Sequence, residues 1–163
     1  MSNHENPNRM RGLAALVGWL ILTYSAALTG LLVQVDGWYA ALNKPAWNPP
    51  GWVFGPVWTM LYGMMAVAAW LIWQRGGWRA QRVPLGLYLL QWLLNAAWTP
   101  LFFGLHRPDL AFAAIMLLLA AIVATLIVFL RIRPAAGWLL APYALWVTFA
   151  AMLNFSIWLK IGV

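Results

Sequence analysis

Charged residues are scarce in this sequence. Only 8% of its 163 residues are Asp, Glu, Lys or Arg, whereas 64% are hydrophobic. Soluble domains usually carry about 25% charged residues, roughly three times this share. The composition therefore predicts an integral membrane protein, and the chain is too short to add a separate soluble domain.

Cysteine is absent altogether, which excludes disulfides, zinc–thiolate sites and thiol catalysis. The only two histidines, His4 and His106, lie outside the long apolar runs, and no charged residue lies inside those runs. Ion-coupled pumps and proton relays normally bury an ionisable group in the membrane. The sequence thus offers no pair of histidines for a membrane haem, no Ser-His-Asp arrangement and no paired carboxylates for hydrolysis.

Five uncharged runs are each about long enough to cross a bilayer as a helix. They predict an all-α integral membrane bundle of five transmembrane helices, over residues 13–35, 51–74, 83–105, 110–130 and 134–160. The polar residues 1–12 predict a disordered tail, so residues 13–163 should form a single membrane domain. Residues 36–50 are the one long connector.

The basic residues are divided unevenly between the two ends of such a bundle. The amino-terminal end receives seven of the ten, namely Arg9, Arg11, Arg75, Arg79, Arg82, Arg131 and Arg133. Only Lys44, Arg107 and Lys160 fall at the other end. The net charge of +7 therefore indicates membrane topology rather than a nucleic-acid partner. In a bacterial inner membrane the amino terminus should be cytoplasmic; an outer membrane would leave the orientation open.

The connector 36–50 is rich in both tryptophan and proline. Pro45, Pro49 and Pro50 disfavour a regular helix before Gly51, because proline lacks an N–H and restricts the preceding residue. One interpretation is a stiff loop whose rings close over a ligand. The alternative is an aromatic belt at the membrane interface, where Trp and Tyr gather in any case.

Three of the predicted helices each carry one stripe of rings and amides at helical spacing. The stripes comprise Phe54, Trp58 and Tyr62; Gln91, Asn95, Trp98, Thr99 and Phe102; and Tyr143, Trp146, Ala150, Asn154 and Trp158. Lipid cannot pair with these polar groups, so the stripes should turn inward. They predict a pocket for a flat, mostly apolar ligand, or else amides that simply bridge helices. The small residues of the first and fourth helices indicate packing or oligomer surfaces.

Three separated blocks of sequence are distinctive. They read Trp38-Tyr39-x-x-Leu42-x-Lys44-Pro45-x-Trp47-x-Pro49-Pro50-x-Trp52-x-Phe54-x-x-x-Trp58-Thr59-x-Leu61-Tyr62, Gln91-x-x-x-Asn95-x-x-Trp98-Thr99-Pro100-Leu101-Phe102-Phe103-Gly104, and Pro142-Tyr143-x-x-Trp146-x-x-Phe149-Ala150-x-x-Leu153-Asn154. Together they closely resemble the TspO family, which comprises bacterial tryptophan-rich sensory proteins and the mitochondrial translocator protein, or peripheral benzodiazepine receptor. The resemblance extends over most of the chain.

The resemblance implies a five-helix bundle, commonly a homodimer, with a ligand pocket closed by the first loop. It implies tetrapyrrole ligands such as protoporphyrin IX or haem, with no required cofactor, no metal site and no catalytic residue. With the stripes, it gives ten candidate ligand-binding residues: Trp38, Tyr39, Trp47, Trp58, Tyr62, Asn95, Trp98, Trp146, Ala150 and Asn154. The sterol motif of animal members is incomplete here, because Phe155 occupies its tyrosine position.

Three functions remain open from the sequence. The first is a membrane receptor or sensor that binds tetrapyrroles or other flat hydrophobic molecules, with Lys44 and the indoles as candidate partners for porphyrin carboxylates. The second is a transporter of small hydrophobic molecules or tetrapyrroles. The third is an enzyme that degrades porphyrin in light, which some bacterial members of the resembling family are reported to do.

Overall fold

The computed structural model describes residues 7–33 and 37–161, with backbone only at residues 7–9 and 32, and every regular element in these ranges is helical. The α-helices are α1 Pro7–Ser25, α2 Leu28–Leu32, α3 Gly37–Ala41, α4 Phe54–Trp73, α5 Gly77–Ala80, α6 Arg82–Thr99, α7 Pro108–Ile132 and α8 Pro134–Ile161. A 3₁₀ turn at Gly51–Val53 leads into α4, and a π-helical turn at Pro100–Gly104 continues α6.

The five long helices form a ring. Helix α4 packs against α1 on one side and α8 on the other, and α7 packs between α8 and α6. The ring closes where α1 meets α6, because the hydroxyls of Thr23 and Tyr88 share a hydrogen bond of 2.6 Å. Both residues are fully buried, so this polar contact lies in the core.

Four helical segments in the described part of the chain are long and apolar enough to cross a membrane: Met10–Leu31, Gly51–Trp73, Pro108–Ile132 and Pro134–Ile161. The predicted multi-pass membrane fold is therefore supported, but the predicted count of five spans is not established. Helix α6 is the exception, because Gln91 and Asn95 lower its hydropathy. Both amides are buried inside the bundle rather than facing outward.

The first predicted helix differs from the observed one at both ends. Helix α1 begins at Pro7, so part of the expected tail is helical, and residues 1–6 lie outside the described range. Proline suits a first helical position because the N–H it lacks would have no partner there. The predicted first helix, over residues 13–35, is interrupted in the structure by a turn at Ala26–Ala27 before α2, and residues 34–36 lie outside the described range.

Local hydrogen bonds explain that turn. The amides of Ala26 and Ala27 bond to carbonyls three residues back, at 3.3 and 3.0 Å. The Ser25 hydroxyl donates to the Leu22 carbonyl at 2.6 Å. Such bonds compete with the regular helical ladder and break it.

The connector holds one helical turn that the prolines did not predict. Helix α3 ends at Ala41, before Pro45, so the restriction from the prolines acts only after it. The Lys44 ammonium donates to the carbonyls of Tyr39, Ala40 and Leu42 at 2.6, 3.2 and 3.3 Å. A cation at these orphan carbonyls stabilises the end of a helix.

Helices α7 and α8 approach each other closely at Gly137. A Cβ at this position would clash with Leu130 Cγ and lie 2.8 Å from the Leu130 backbone nitrogen. The backbone atom cannot move aside as a flexible side chain would. Glycine is therefore required where α8 begins to pack against α7.

We expect Gly137→Ala to destabilise the bundle by about 1–3 kcal/mol, the usual cost of overpacking. The matched control is Gly86→Ala on α6, where a Cβ meets nothing within 4 Å. Because alanine favours helix over glycine, the control should be neutral or stabilising. Thermal unfolding in detergent measures both, and equal melting temperatures would contradict the close approach.

Candidate functional site

A cavity of about 500 Å³ lies inside the ring, at the end of the bundle opposite the amino terminus. The first loop, the turn after α1, helix α2 and four of the five long helices, α4, α6, α7 and α8, contribute to its wall. The lining residues are Ala26, Ala27, Gly30, Val33, Tyr39, Asn48, Pro49, Gly51, Phe54, Gly55, Trp58, Tyr62, Asn95, Trp98, Thr99, Phe102, Phe103, Ile115, Leu118, Trp146, Val147, Ala150, Leu153, Asn154 and Ile157. This volume is within the range of about 300–1,000 Å³ that is usual for small-molecule sites.

Aromatic rings dominate two sides of the cavity and hold one another in place. The Trp58 ring packs edge-on to Tyr143, with centroids 6.1 Å apart. On α8, Trp146 packs edge-on to Phe54 at 5.7 Å. Trp98 stacks on Phe102 at 5.0 Å. Each ring is thus fixed before any ligand arrives, which reduces the entropy lost on binding.

A hydrogen-bonded bridge at Asn95 joins three helices at the cavity. The Tyr62 hydroxyl of α4 donates to Asn95 Oδ1 at 3.0 Å, and Asn95 Nδ2 donates to the Tyr143 hydroxyl of α8 at 3.0 Å. All three side chains are buried. Because Asn95 lies on α6, this Asn95 bridge ties α4, α6 and α8 together without any ionised group.

A second amide, that of Asn154 on α8, also joins neighbouring helices. Trp98 Nε1 donates to Asn154 Oδ1 at 3.1 Å, and Asn154 Nδ2 donates to the Pro108 carbonyl at 2.8 Å. Proline at position 108 begins α7, so the bond links α8 to the first turn of its neighbour. Asn95 and Asn154 therefore both bridge helices and line the cavity, which joins the two alternatives that the sequence left open.

The loop reaches the cavity through Tyr39 and Asn48. The Tyr39 hydroxyl donates to Asn48 Oδ1 at 3.3 Å. Burial raises the pKa of the Tyr39 phenol above its usual value, and the hydrogen bond with Asn48 only partly opposes this effect. Tyr39 is therefore a neutral phenol at physiological pH.

Comparison with known proteins agrees with the sequence blocks. A model of the TspO/MBR family matches residues 13–159. The chain belongs to the TspO/MBR family. It is 45% identical to the translocator protein of Ovis aries over 123 residues, which are 74% of this chain and 73% of that protein.

Bacterial relatives are matched over more of their length. The tryptophan-rich sensory protein of Cereibacter sphaeroides is 42% identical over 142 residues, or 84% of this chain and 88% of that protein. The tryptophan-rich protein TspO of Chlorobaculum tepidum is 39% identical over 147 residues, or 89% and 92%. Membership in the TspO/MBR family and the apolar helices together establish an integral, multi-pass membrane protein.

In this TspO/MBR chain, eight of the ten candidate residues line the cavity: Tyr39, Trp58, Tyr62, Asn95, Trp98, Trp146, Ala150 and Asn154. Trp38 and Trp47 do not, which differs from the expectation. Trp38 lies on α3 and stacks on His106 at 4.4 Å, with its edge against Phe102, so it backs the wall from outside. Trp47 packs on Phe149 at 5.7 Å and is 48% exposed.

Sequence reasoning missed the wall formed by small and aliphatic residues. Ala26, Ala27 and Gly30 line the cavity because the chain turns there, although we expected the first helix to serve packing. Ile115 and Leu118 of α7 also reach it. The small residues Ser25, Ala26, Ala27 and Gly30 indicated that another element or a space lies beside them, but nothing in the sequence distinguishes a cavity wall from a helix contact.

We expect Asn95→Leu to lower the melting temperature more than Tyr62→Phe does. The first change leaves two buried hydroxyls without the amide, and each orphaned group costs about 1–3 kcal/mol. Thr148→Val is the control, because the exposed Thr148 hydroxyl bonds only to Ala144 of its own helix. If Asn95→Leu and Thr148→Val have the same melting temperature, the Asn95 bridge does not stabilise the bundle.

Proposed function

We propose that this protein is a membrane receptor or sensor that binds a flat hydrophobic ligand of the tetrapyrrole class in the central cavity. The observation that carries the proposal is the chemistry of the lining, which combines six aromatic rings of Trp and Phe with two phenols and, among the described residues, no Asp, Glu, Lys, Arg or His. Dispersion and stacking against such rings favour a planar macrocycle.

The lining also favours protoporphyrin IX over haem. Among the described residues, no His, Cys or Met lines the cavity, and the phenols of Tyr39 and Tyr62 already donate to Asn48 and Asn95. Haem would therefore be held by ring contacts rather than by an axial side chain. Lys44 is engaged with three carbonyls, so a porphyrin carboxylate reaches it only by displacing them.

Transport is the second candidate, and the observation that favours it is the name of the mammalian relatives, translocator protein. The absence of charged residues from the described lining gives no coupling to an ion gradient, so the expected activity is passive. Flux of protoporphyrin IX into proteoliposomes, compared between the native chain and Ala150→Leu, tests this candidate.

We expect protoporphyrin IX to quench tryptophan fluorescence of the native chain in detergent with saturation, and Ala150→Leu to weaken binding about tenfold or more. The added side chain takes up volume in the cavity, and loss of about 1.4 kcal/mol corresponds to tenfold in affinity. Leu145→Phe is the control, because Leu145 lies on the same helix, is 73% exposed and is outside the cavity.

Equal affinity of Ala150→Leu and the native chain would place the ligand elsewhere. Trp58→Phe and Trp146→Phe, measured by absorbance of the porphyrin, then identify which ring makes contact.

Illuminating the complex and analysing the ligand by mass spectrometry separates binding from light-dependent degradation. Recovery of intact porphyrin at the rate seen in empty micelles would dismiss an enzymatic role.

We also propose that α6, extended by the π-helical turn to Gly104, is the fifth transmembrane span, and that the amino terminus is cytoplasmic. Support for the span comes from the amides Gln91 and Asn95 of α6, which are buried inside the bundle. Support for the orientation comes from the arginines at one end of the bundle. We also propose a homodimer in the membrane, and this proposal rests on the resemblance to the TspO family alone.

The absence of native cysteine makes the orientation directly testable. We expect Asn43→Cys, in the exposed loop, to react with a membrane-impermeant maleimide in intact spheroplasts, and Ala135→Cys to react only after permeabilisation. Both positions are exposed, so accessibility to the reagent does not differ between them. Labelling in the reverse order would overturn the orientation.

A further inference from the structure

A second depression lies on the outer surface, at the end of the bundle where the arginines gather. It has a volume of about 320 Å³ and is lined by Ala15, Gly18, Trp19, Leu22, Trp73 and Trp78. We call this the arginine-end groove. It shares no lining residue with the central cavity, so it is a separate site and does not depend on the proposed function.

The backbone creates this groove in two places. Gly76 and Gly77 take positive φ angles of 114° and 67°, which turn the chain from α4 into α5 and present Trp78 beside Trp73. A Cβ on Gly76 would lie 2.7 Å from that of Ala80, so no other residue fits this turn well. On α1, Gly18 leaves open space, since an added Cβ there meets nothing within 4 Å.

Tryptophan rings line the groove and two of them have distinct environments. Trp19 packs edge-on to Tyr88 at 5.5 Å, so the core fixes its orientation. Trp78 is 49% exposed and covers nothing in the core. Tryptophan gathers at the depth of the lipid headgroups, so an exposed ring such as Trp78 at the end of a membrane bundle is typical of that depth.

Positive charge lies around the groove in the described part of the chain. Arg11 lies on the same face of α1 as Ala15, Gly18 and Leu22, because these positions follow one another at helical spacing. Arg75 follows Trp73 by two residues, and Arg79 follows Trp78 directly. Arg11, Arg75 and Arg79 are exposed, and the structure gives none of them an acidic partner in the ranges it describes.

The acidic residues of the chain are few, and the one that the structure describes lies away from the groove. Only three are present, and two of them, Glu5 and Asp36, lie outside the described ranges. The third, Asp109, begins α7 at the opposite end and pairs with Arg107 at 2.6 Å. The groove is therefore apolar along its length and cationic at its rim.

We propose that the arginine-end groove binds one phospholipid with a net negative headgroup. The acyl chain lies along Gly18 and Leu22 between the indole rings, and the phosphate meets the guanidinium groups of Arg75 and Arg79. Guanidinium binds phosphate through paired hydrogen bonds, and basic pockets between membrane helices are typical sites for anionic lipid headgroups. A free phosphate would leave the apolar part of the groove unfilled.

The test uses the full chain in nanodiscs of zwitterionic lipid, into which phosphatidylglycerol with brominated acyl chains is titrated. Bromine quenches tryptophan on contact, and because exposed rings outside the groove such as Trp52 and Trp138 are quenched as well, the part of the quenching that Gly18→Leu removes reports the occupancy of the groove. We expect brominated phosphatidylglycerol to quench at a lower mole fraction than brominated phosphatidylcholine does. Removing one surface charge in Arg79→Gln should raise the required fraction about fivefold.

Two matched controls separate the site from general charge and from folding. Arg131→Gln removes an exposed arginine of the same end that lies outside the groove, and it should leave the titration unchanged. Gly18→Leu should fill the groove and abolish the preference, whereas Gly86→Leu on α6 should not, since neither new side chain meets protein atoms at its Cβ. If Gly18→Leu fails to fold, the comparison of Arg79→Gln with Arg131→Gln still tests the proposal.

Three results would overturn the proposal. Equal quenching by the two brominated lipids shows that the groove does not select charge. Loss of the preference on adding inorganic phosphate shows a phosphate site without a lipid chain. A change of oligomeric mass in Gly18→Leu, with lipid preference retained, shows that the groove is a contact between two copies of the chain.

Discussion

The structure depends on one requirement, which is that polar side chains within a membrane bundle be paired inside the protein, because lipid offers no partner. Among the described residues, the buried amides of Asn95 and Asn154 are paired by neighbouring helices, whereas the buried amide of Gln91 is not. Asn95 meets the requirement with two phenols from two helices, at 3.0 Å each. Asn154 meets it with an indole and a backbone carbonyl. These bonds fix how α4, α6, α7 and α8 are rotated about their axes.

The cavity follows from that fixed rotation. Because the bonds of the amides and phenols fix the rotation of the helices, the rings of Trp58, Trp98 and Trp146 stay at the wall instead of collapsing onto one another. The loop then closes one side through Tyr39 and Asn48, and Lys44 stabilises the turn that carries Tyr39. An apolar cavity with few convergent polar groups is the usual form of a small-molecule site.

The two ends of the bundle differ in chemistry. One end carries the tryptophan-rich loop, the central cavity and a paired Arg107–Asp109. The other end carries arginines that have no acidic partner among the described residues, beside the groove of Trp19, Trp73 and Trp78. This asymmetry matches the asymmetry of a membrane whose two surfaces differ in charge. The ligand site and the proposed lipid site are therefore separated along the bundle axis.

The sequence by itself determined the membrane class, the helical fold, the family and eight of the residues in the cavity wall. Scarce charge and uninterrupted apolar length gave α7 to within two residues at each end, and helical spacing placed Trp58 with Tyr62 and Asn95 with Trp98. Only the tertiary structure decided the turn at Ala26–Ala27, the small residues in the wall, and the position of Trp38 behind Phe102. Spacing along one helix shows which residues share a face, whereas these features depend on which distant element that face meets.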